Sequence, residues 1–287
     1  LGIHIEQIRV MRTSTEKVPN TSPTAASSGS DLNGQAVHIA CETLKSRMTP
    51  IALQLLNAEQ GATVRFEQDH IVLDQHPSQR VAFSEVAKMC WIQRVSLSAT
   101  GFYATPGIAY DRDRGQGTPF FYYAYGAGVV EVEVNTLTGE HRMTRADLLH
   151  DAGNPLMPKI DIGQVEGAFV QGVGWLTCEE VLYGDDGRLL THGPSTYKIP
   201  AAGDVPIDFR VHLLERAPQH EVIGGSKAVG EPPFMLGIAV VTALRHAIRG
   251  SGTLGHLTLG LPATPEAILR AVEGMPLLHF KGESPSD

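Results

Sequence analysis

The segment GGSKAVGEPPFMLG, residues 224–237, constrains the fold of this chain more than any other stretch, because a glycine and two prolines enclose one carboxylate. Gly230 lets a ligand or another backbone approach closely, and the prolines fix φ and prepare the first turn of a helix. We predict this helix over residues 235–248 and place Glu231 on the loop that leads into it. Its side chain then either faces a cleft, as a catalytic group would, or only complements the helix dipole.

Composition and charge exclude several classes of protein. The chain has 287 residues, of which 42% are hydrophobic and 19% charged, a balance typical of a globular protein with a large core. The formal net charge is −8, and Lys and Arg are scattered, so we expect no nucleic-acid partner. The longest apolar stretch, residues 235–244, is about half of a membrane span, so we also expect no membrane partner.

Cysteine and histidine are too dispersed to suggest a metal site built from side chains. Cys41, Cys90 and Cys178 are far apart, form no CxxC pair and are odd in number, which favours a reducing compartment and a cytoplasmic location. The twelve histidines show no HxxxH or HxH spacing. We therefore expect no protein-ligated metal, and any iron–sulfur cluster would lie elsewhere.

The hydrophobic pattern predicts an α+β fold with mixed sheets and packed helices rather than a regular βαβ repeat. The chain opens with IHIEQIRVM, which alternates like a strand with Ile3, Ile5 and Ile8 on a buried face. A polar loop follows, and then a helix from about Leu32 to Met48 with Asp31 or Ser30 as its N-cap. Because the N-terminus lacks an initiator Met and a signal peptide, we expect the C-terminal piece of a longer polypeptide.

The second half of the chain shows clearer patterns. The alternating run GVVEVEV, the turn 135–139 and the run EHRMTRADLLH predict a hairpin. Further on we predict a strand-like pair around the turn GDDG, a strand in PIDFRVHLLE and a frayed polar tail. Between the hairpin and the GDDG turn, an apolar stripe indicates a helix. Its residues are Ile162, Val165, Phe169, Val173 and Leu176.

The segment TAASSGSDLNG, residues 24–34, is a candidate anion site. Small residues directly before a helix let a phosphate approach the unsatisfied N–H groups and the positive end of the helix dipole. An ordinary capped helix after a polar loop explains the same pattern. No Walker or GxGxxG motif is present, so a nucleoside triphosphate site is not supported.

The helix IDIGQVEGAFVQGVGWLT carries a second candidate on the side away from its apolar stripe. Gln171 lies there with Gly167 and Gly174, at steps of four and three residues. Each glycine costs about 1 kcal/mol of helix stability relative to alanine. We therefore expect either another backbone or a bulky ligand against this face, and a ligand would hydrogen-bond to the Gln171 amide.

Glu231 is the candidate general base, a role in which a partly buried carboxylate is effective. Lys227 lies four residues before it. An ion pair between the two would weaken the base, so we expect Lys227 to point elsewhere.

Five motifs together resemble the molybdenum hydroxylase family, and within it the C-terminal part of the molybdopterin-binding portion of the xanthine dehydrogenases. They are TSTEKVPNTSPTAASSGSDLNGQAV, TGFYATPG, IDIGQVEGAFVQGVGW, GPSTYKIPA and GGSKAVGEPPFMLG, in order along residues 1–250. The resemblance implies that residues 1–278 form the C-terminal segment of a molybdopterin-binding domain whose N-terminal portion is missing, with 279–287 as a polar tail.

The resemblance also implies roles for individual residues. Glu231 falls on the active-site glutamate and Gln171 on the cofactor-contacting glutamine, with Gly230 beside the base. The cofactor loop of the family falls on Ala25, Ala26, Ser27, Gly29 and Ser30. The family tends to have a cysteine at about the position of Val129, so the cofactor environment is expected to differ slightly there.

The implied function is oxidation of purines, hypoxanthine and xanthine to urate, by base-assisted attack of a molybdenum-bound hydroxide with hydride transfer to the metal centre. The cofactor is molybdopterin with molybdenum, whose dithiolene rather than side chains holds the metal. Electrons would leave through iron–sulfur clusters and FAD in partner domains or subunits of a larger oligomer. The substrate-orienting residues of the family lie upstream of Leu1, so activity requires that upstream part.

Two alternatives remain open on the sequence. An aldehyde or other N-heteroaromatic hydroxylase of the same family would share the base and the cofactor. A non-catalytic scaffold would keep the fold without the metal, although neither Gln171 nor Glu231 is needed for packing.

Overall fold

The computed structural model describes residues 1–12, 14–17, 27, 29–215, 217–253 and 257–276. The chain divides into two compact units, Leu1–Phe121 and Tyr122–Asp287. Each unit contains its own sheet, helices and hydrophobic cluster.

Unit 1 combines a small antiparallel sheet with two helices. Its elements are α1 (Gly34–Leu55), β1 (Val64–Glu67), β2 (His70–Leu73), β3 (Arg80–Ala82), α2 (Phe83–Ile92), β4 (Ala109–Asp111) and β5 (Gln116–Thr118). Strands β1, β2 and β3 pair in that order, with Val64 opposite Leu73, and β4 pairs with β5 as a separate hairpin. The core lies between the three-stranded sheet and the two helices and contains Met48, Ile51, Ala52, Ile71, Val81, Val86 and Cys90.

The predicted opening strand is wrong. Residues Ile5–Gln7 form a 3-10 turn, and Ile5 is 74% exposed, so the expected buried face does not exist in unit 1. The segment touches the sheet where the backbone N–H of Asp69 donates to the carbonyl of Gly2 at 2.9 Å. An alternating pattern becomes a strand only when a neighbouring strand supplies hydrogen bonds, and none does so among the described residues of unit 1.

Helix α1 is longer than predicted at its C-terminal end. It continues through Pro50 to Leu55, because Met48, Ile51 and Ala52 are buried in the core and their burial offsets the cost of a proline inside a helix. The helical path also starts earlier than predicted, in a π-helical turn, Gly29–Asn33.

In the described part of unit 2, three α-helices pack with one three-stranded sheet. Its elements are β6 (Gly126–Val134), β7 (His141–His150), α3 (Pro158–Thr177), β8 (Asp208–Leu213), α4 (Ile238–Gly250) and α5 (Pro265–Val272). Strand β7 pairs antiparallel with β6 and parallel with β8. The core contains Met143, Ala146, Leu148, Val165, Phe169, Val173, Val240, Leu244, Ile248, Leu257, Ala263, Ile268 and Ala271.

Most predictions for this half are confirmed. The hairpin β6–β7 forms around the expected turn, and four of the five stripe residues of α3 are buried. The GDDG turn is closed by a single bridge between Tyr183 and Leu189. Helix α5 was missed, although Thr264 before a proline marks its start and its hydroxyl accepts from Ala267 N–H at 3.3 Å. The α+β class is confirmed.

Candidate functional site

Glu231 lies immediately before a 3-10 turn, Pro232–Gly237, whose first two positions are the prolines. The predicted start of the last helix is therefore a tighter turn, and α4 begins only after it. The carbonyl of Glu231 accepts from the N–H of Phe234 at 3.0 Å, and its side chain does not cap the turn. The carboxylate is exposed. The expectation of a partly buried side chain is thus wrong for unit 2 taken by itself.

Two glycines hold this turn against α3. The carbonyl oxygen of Phe234 occupies the place that a Cβ atom on Gly172 would take, and a Cβ on Gly237 would lie 2.7 Å from the carbonyl carbon of Gly172. Real Cβ atoms do not make contacts this short, so both positions require glycine. The rings of Trp175 and Phe234 pack beside this contact with centroids 5.5 Å apart. The backbone that follows Glu231 is therefore fixed by direct contact with a helix.

The same turn also packs on β6. A Cβ atom on Gly126 would lie 3.2 Å from Cδ2 of Leu236, and one on Gly128 would lie 3.6 Å from the carbonyl oxygen of Leu236. Two strand positions without side chains thus make room for the leucine of the turn. Contacts with β6 and α3 together fix the position of the turn that follows Glu231.

Lys227 forms a buried ion pair with Asp151. Its Nζ lies 2.5 Å from Oδ2 of Asp151 and donates to the carbonyl of Tyr123 at 2.9 Å. The two charged side chains are only 9% and 4% exposed. The ammonium also lies 5.6 Å from the ring centre of Tyr125. The segment before Glu231 is therefore anchored to the end of β7 and the start of β6.

His150 lies next to this ion pair at the end of β7 and is 1% exposed. Burial lowers the pKa of its ring below the ordinary value, although a hydrogen bond with the backbone of Ala228 opposes the shift. Its Nε2 atom has no hydrogen-bond partner among the described residues. The imidazole is therefore neutral near pH 7, and the ion pair beside it gains no further positive charge.

Gln171 is exposed on α3, directly before the glycine that touches the Glu231 turn. The predicted grouping with two glycines holds only in part. Gly167 is exposed, with no heavy atom within 4 Å of where its Cβ would lie, whereas Gly174 is buried and packs against Pro200. Close packing by the chain itself thus explains Gly174, and the surface of Gly167 and Gln171 is left open in unit 2.

The predicted cofactor loop is described only at its end. Ala25 and Ala26 lie outside the described residues, Ser27 is half-buried, and Gly29 and Ser30 belong to the π-helical turn before α1. The predicted N-cap, Ser30 or Asp31, is wrong because both residues lie inside this helical turn. Among the described residues, no heavy atom lies within 4 Å of the place that a Cβ atom on Gly29 would take. The start of α1 therefore offers open space beside backbone N–H groups.

Sequence reasoning missed Gly172, Asp151 and His150. Gly172 lies on α3 between the stripe residues Phe169 and Val173, so its position was attributed to the apolar face of the helix. His150 and Asp151 lie where the alternating residues of β7 end, and polar residues at a strand end commonly indicate a turn.

Two further residues of the sequence analysis lie in unit 2. Gly230 is half-buried, and Val129 is 70% exposed on β6.

Among the described residues, no group of three or more His, Cys, Asp or Glu side chains is arranged to hold a metal ion. None of the helices in the described part of the chain has both the length and the apolar content to cross a membrane.

Comparison with known proteins identifies the kind of domain. The model of the molybdopterin cofactor-binding domain matches residues 1–206. A xanthine dehydrogenase of Dictyostelium discoideum is 46% identical over 287 residues, which cover 98% of this chain and 19% of that protein. The chain thus spans about a fifth of the length of this curated relative.

Two solved structures share the fold. Quinoline 2-oxidoreductase from Pseudomonas putida 86 matches with a TM-score of 0.73 at 27% identity, over 88% of this chain and 31% of the other. Aldehyde oxidoreductase from Desulfovibrio gigas matches with a TM-score of 0.67 at 22% identity, over 90% of this chain and 24% of the other. The motif-based resemblance to molybdenum hydroxylases is confirmed, and the chain belongs to the molybdopterin cofactor-binding domain family.

Proposed function

We propose that this chain is part of a molybdenum hydroxylase that oxidises purines, converting hypoxanthine and xanthine to urate, with Glu231 as the general base. The observation that carries the proposal is the position of Glu231. Its carboxylate is exposed at the start of a turn that two glycine contacts hold in place. A general base needs such a fixed position, since proton transfer requires hydrogen-bond distance to the reacting group.

The described residues fit a pterin cofactor with a phosphate tail. The start of α1 has open space at Gly29 and presents helix N-terminal N–H groups, the arrangement that binds phosphate. The exposed surface of Gly167 and Gln171 offers space and an amide for a polar ring. We assign Ala25, Ala26, Ser27, Gly29 and Ser30 to the phosphate end, and Gln171 and Gly230 to the end near the base.

When bound, the molybdenum cofactor supplies the two-electron oxidation of a substrate C–H bond. The chain's own residues contribute position and proton transfer. Glu231 accepts a proton on a carboxylate oxygen, and Pro232 and Pro233 restrict the backbone that carries this carboxylate. The ammonium of Lys227 is bound to Asp151 and anchors the segment that leads to Glu231.

The remaining parts of the enzyme are proposed from the length of the relatives. We infer that residues 1–278 act as the C-terminal segment of the molybdopterin-binding domain and that the upstream part completes the substrate pocket over Glu231. Iron–sulfur and FAD domains or subunits would accept the electrons within a larger oligomer. The cytoplasm is the location that fits three dispersed free cysteines.

A second candidate function is hydroxylation of an aldehyde or another N-heteroaromatic ring. It is favoured by the likeness to quinoline 2-oxidoreductase and aldehyde oxidoreductase, whereas the 46% identity to a xanthine dehydrogenase favours purines. Initial rates of the complete enzyme with xanthine, quinoline and a simple aldehyde would separate them. A protein purified with almost no molybdenum would favour the non-catalytic scaffold instead.

The base is tested by Glu231→Ala in the complete enzyme. Turnover with xanthine should fall by at least about 100-fold, the usual contribution of general base catalysis, while molybdenum and pterin contents stay unchanged. Glu273→Ala is the matched control, because Glu273 is an exposed glutamate at the end of α5 in the same unit. A near-normal rate for Glu231→Ala would refute the assignment.

A further inference from the structure

The ion pair between Lys227 and Asp151 is unusual for its burial. A second Lys–Asp pair in the described part of unit 2, Lys198 with Asp204, has side chains that are 59% and 44% exposed, whereas these two are 9% and 4% exposed. Burying two charges removes their hydration, and apolar residues of similar volume often stabilise a core equally well. Stability alone therefore gives little reason for charges at this position.

Three contacts connect the two side chains of this pair to each other and to the backbone, and they link separate segments of unit 2. Oδ1 of Asp151 accepts from the N–H of Gly153 at 2.9 Å, while Oδ2 binds the ammonium of Lys227. The ammonium donates a second hydrogen bond to the carbonyl of Tyr123. The lysine thus connects the end of β7 with the segment that leads into β6, and both carboxylate oxygens are used.

Backbone hydrogen bonds also hold the segment around Lys227 in place. Its N–H donates to the carbonyl of Ala152 at 2.8 Å, and the N–H of Ala228 donates to the hydroxyl of Tyr122, where the donor–acceptor distance is 2.9 Å. Gly153 and Ser226 form a β-bridge one step earlier. The chain is therefore fixed up to Ala228.

The next fixed point lies beyond Glu231, where the turn contacts α3 through Gly172. Residues 229–231 thus form a short span between two anchors. In a span this short, a shift of the first anchor moves the carboxylate directly. Misplacing a catalytic group by about 1 Å can cost about 100-fold in rate.

We propose that Lys227 and Asp151 are positioning residues that hold Glu231 in its catalytic orientation without contacting substrate or cofactor. The proposal rests on the assignment of Glu231 as the base. It predicts that removing both charges leaves the fold intact and displaces the carboxylate.

The test uses the double variant Lys227→Met with Asp151→Asn in the complete enzyme. A single Lys227→Met change would leave a buried carboxylate unpaired and could prevent folding, whereas the amide oxygen introduced by Asp151→Asn keeps an acceptor for the N–H of Gly153. We expect kcat to fall at least about tenfold with KM and molybdenum content unchanged. Amide hydrogen exchange of residues 228–231 should become at least about tenfold faster, which reports the loss of anchoring independently of activity.

The matched control is Lys198→Met with Asp204→Asn, which removes the exposed Lys–Asp pair of the same unit and should change neither kcat nor exchange at 228–231. Unchanged kcat and exchange in the buried double variant would overturn the proposal. If the double variant does not fold, Asp151→Asn alone must show faster exchange and lower kcat, and no change in either would equally overturn it. Faster exchange together with full activity of Glu231→Ala would instead show anchoring of a residue that is not the base.

Discussion

The two candidate functional regions, one in each unit, differ in how much of their geometry this chain supplies. In unit 2, Glu231 lies between the buried ion pair of Lys227 and Asp151 and the backbone contact at Gly172. In unit 1, the described end of the cofactor loop is an exposed helical turn with open space at Gly29. The backbone that carries the carboxylate is held closely by protein contacts, whereas the helix start provides room and N–H groups.

This difference agrees with the chemistry proposed for each region. A base acts only within hydrogen-bond reach of the group that loses its proton, so its backbone must be restricted before substrate binds. An anion at a helix start is held by several N–H groups and the helix dipole, and it needs space more than rigidity. Glycine accordingly has opposite uses: Gly172 permits contact between protein backbones, and Gly29 leaves a place for a ligand.

The strongest test of the comparison changes two glycines on the same helix. Gly172→Ala places a methyl group against the carbonyl of Phe234, and we expect it to destabilise unit 2 by about 3 kcal/mol, the upper range for overpacking. Gly167→Ala adds the same group where nothing lies within 4 Å and should stabilise α3 by up to about 1 kcal/mol. Urea unfolding of both variants and the parent protein measures the difference.

Gly172→Ala should also reduce turnover, because the methyl group pushes away the turn that carries Glu231. Equal unfolding midpoints for the two variants would show that the turn moves away from α3 at little cost in stability. Glu231 would then not be fixed by α3.

A smaller effect is expected in unit 1. Gly29→Ala places a methyl group in open space inside a helical turn, so the unfolding midpoint should stay the same or rise. If the phosphate end of the pterin lies there, pterin content should fall about tenfold, as expected for the loss of one charge-assisted hydrogen bond. Pterin fluorescence after release from equal amounts of protein measures this content. Gly250→Ala at the end of α4, also in open space, is the control that should retain the cofactor.

Local patterns predicted the elements of this chain where burial and periodicity agree. The stripe of α3 and the alternation of β6 were sufficient, because their partners lie close in sequence or bury one clear face. The strand predicted for the opening segment is wrong because its pattern lacks a partner. Its isoleucines alternate like a strand, but a strand also needs a neighbouring strand, and a pattern within one segment contains no information about one.

The site was predictable to the extent that its residues belong to a local motif. Glycine and proline beside Glu231 indicated a fixed loop, whereas the partner of Lys227, Asp151, was not predicted. Asp151 lies 76 residues from Lys227 in the chain, and Gly172 meets Phe234 across 62 positions, 234 minus 172. Such contacts depend on how β7 and α3 come together, which no local spacing records.

The smallest expected effect concerns the pH dependence of stability. It compares a buried histidine, His150, with an exposed one, His212. Burial lowers the pKa of His150 in the folded state, whereas the unfolded ring titrates near about 6.5. Above that pH both states are neutral; as pH falls below it, the unfolded state binds the proton first and stability is lost, by at most about 1.4 kcal/mol per pH unit. His150→Gln should therefore flatten the decrease in urea midpoint between pH 6.5 and 5, although part remains because burial also lowers the pKa of His141. His212→Gln, which removes an exposed imidazole from β8, is the matched control. An equal response of the two variants would contradict the assignment of the decrease to the burial of His150.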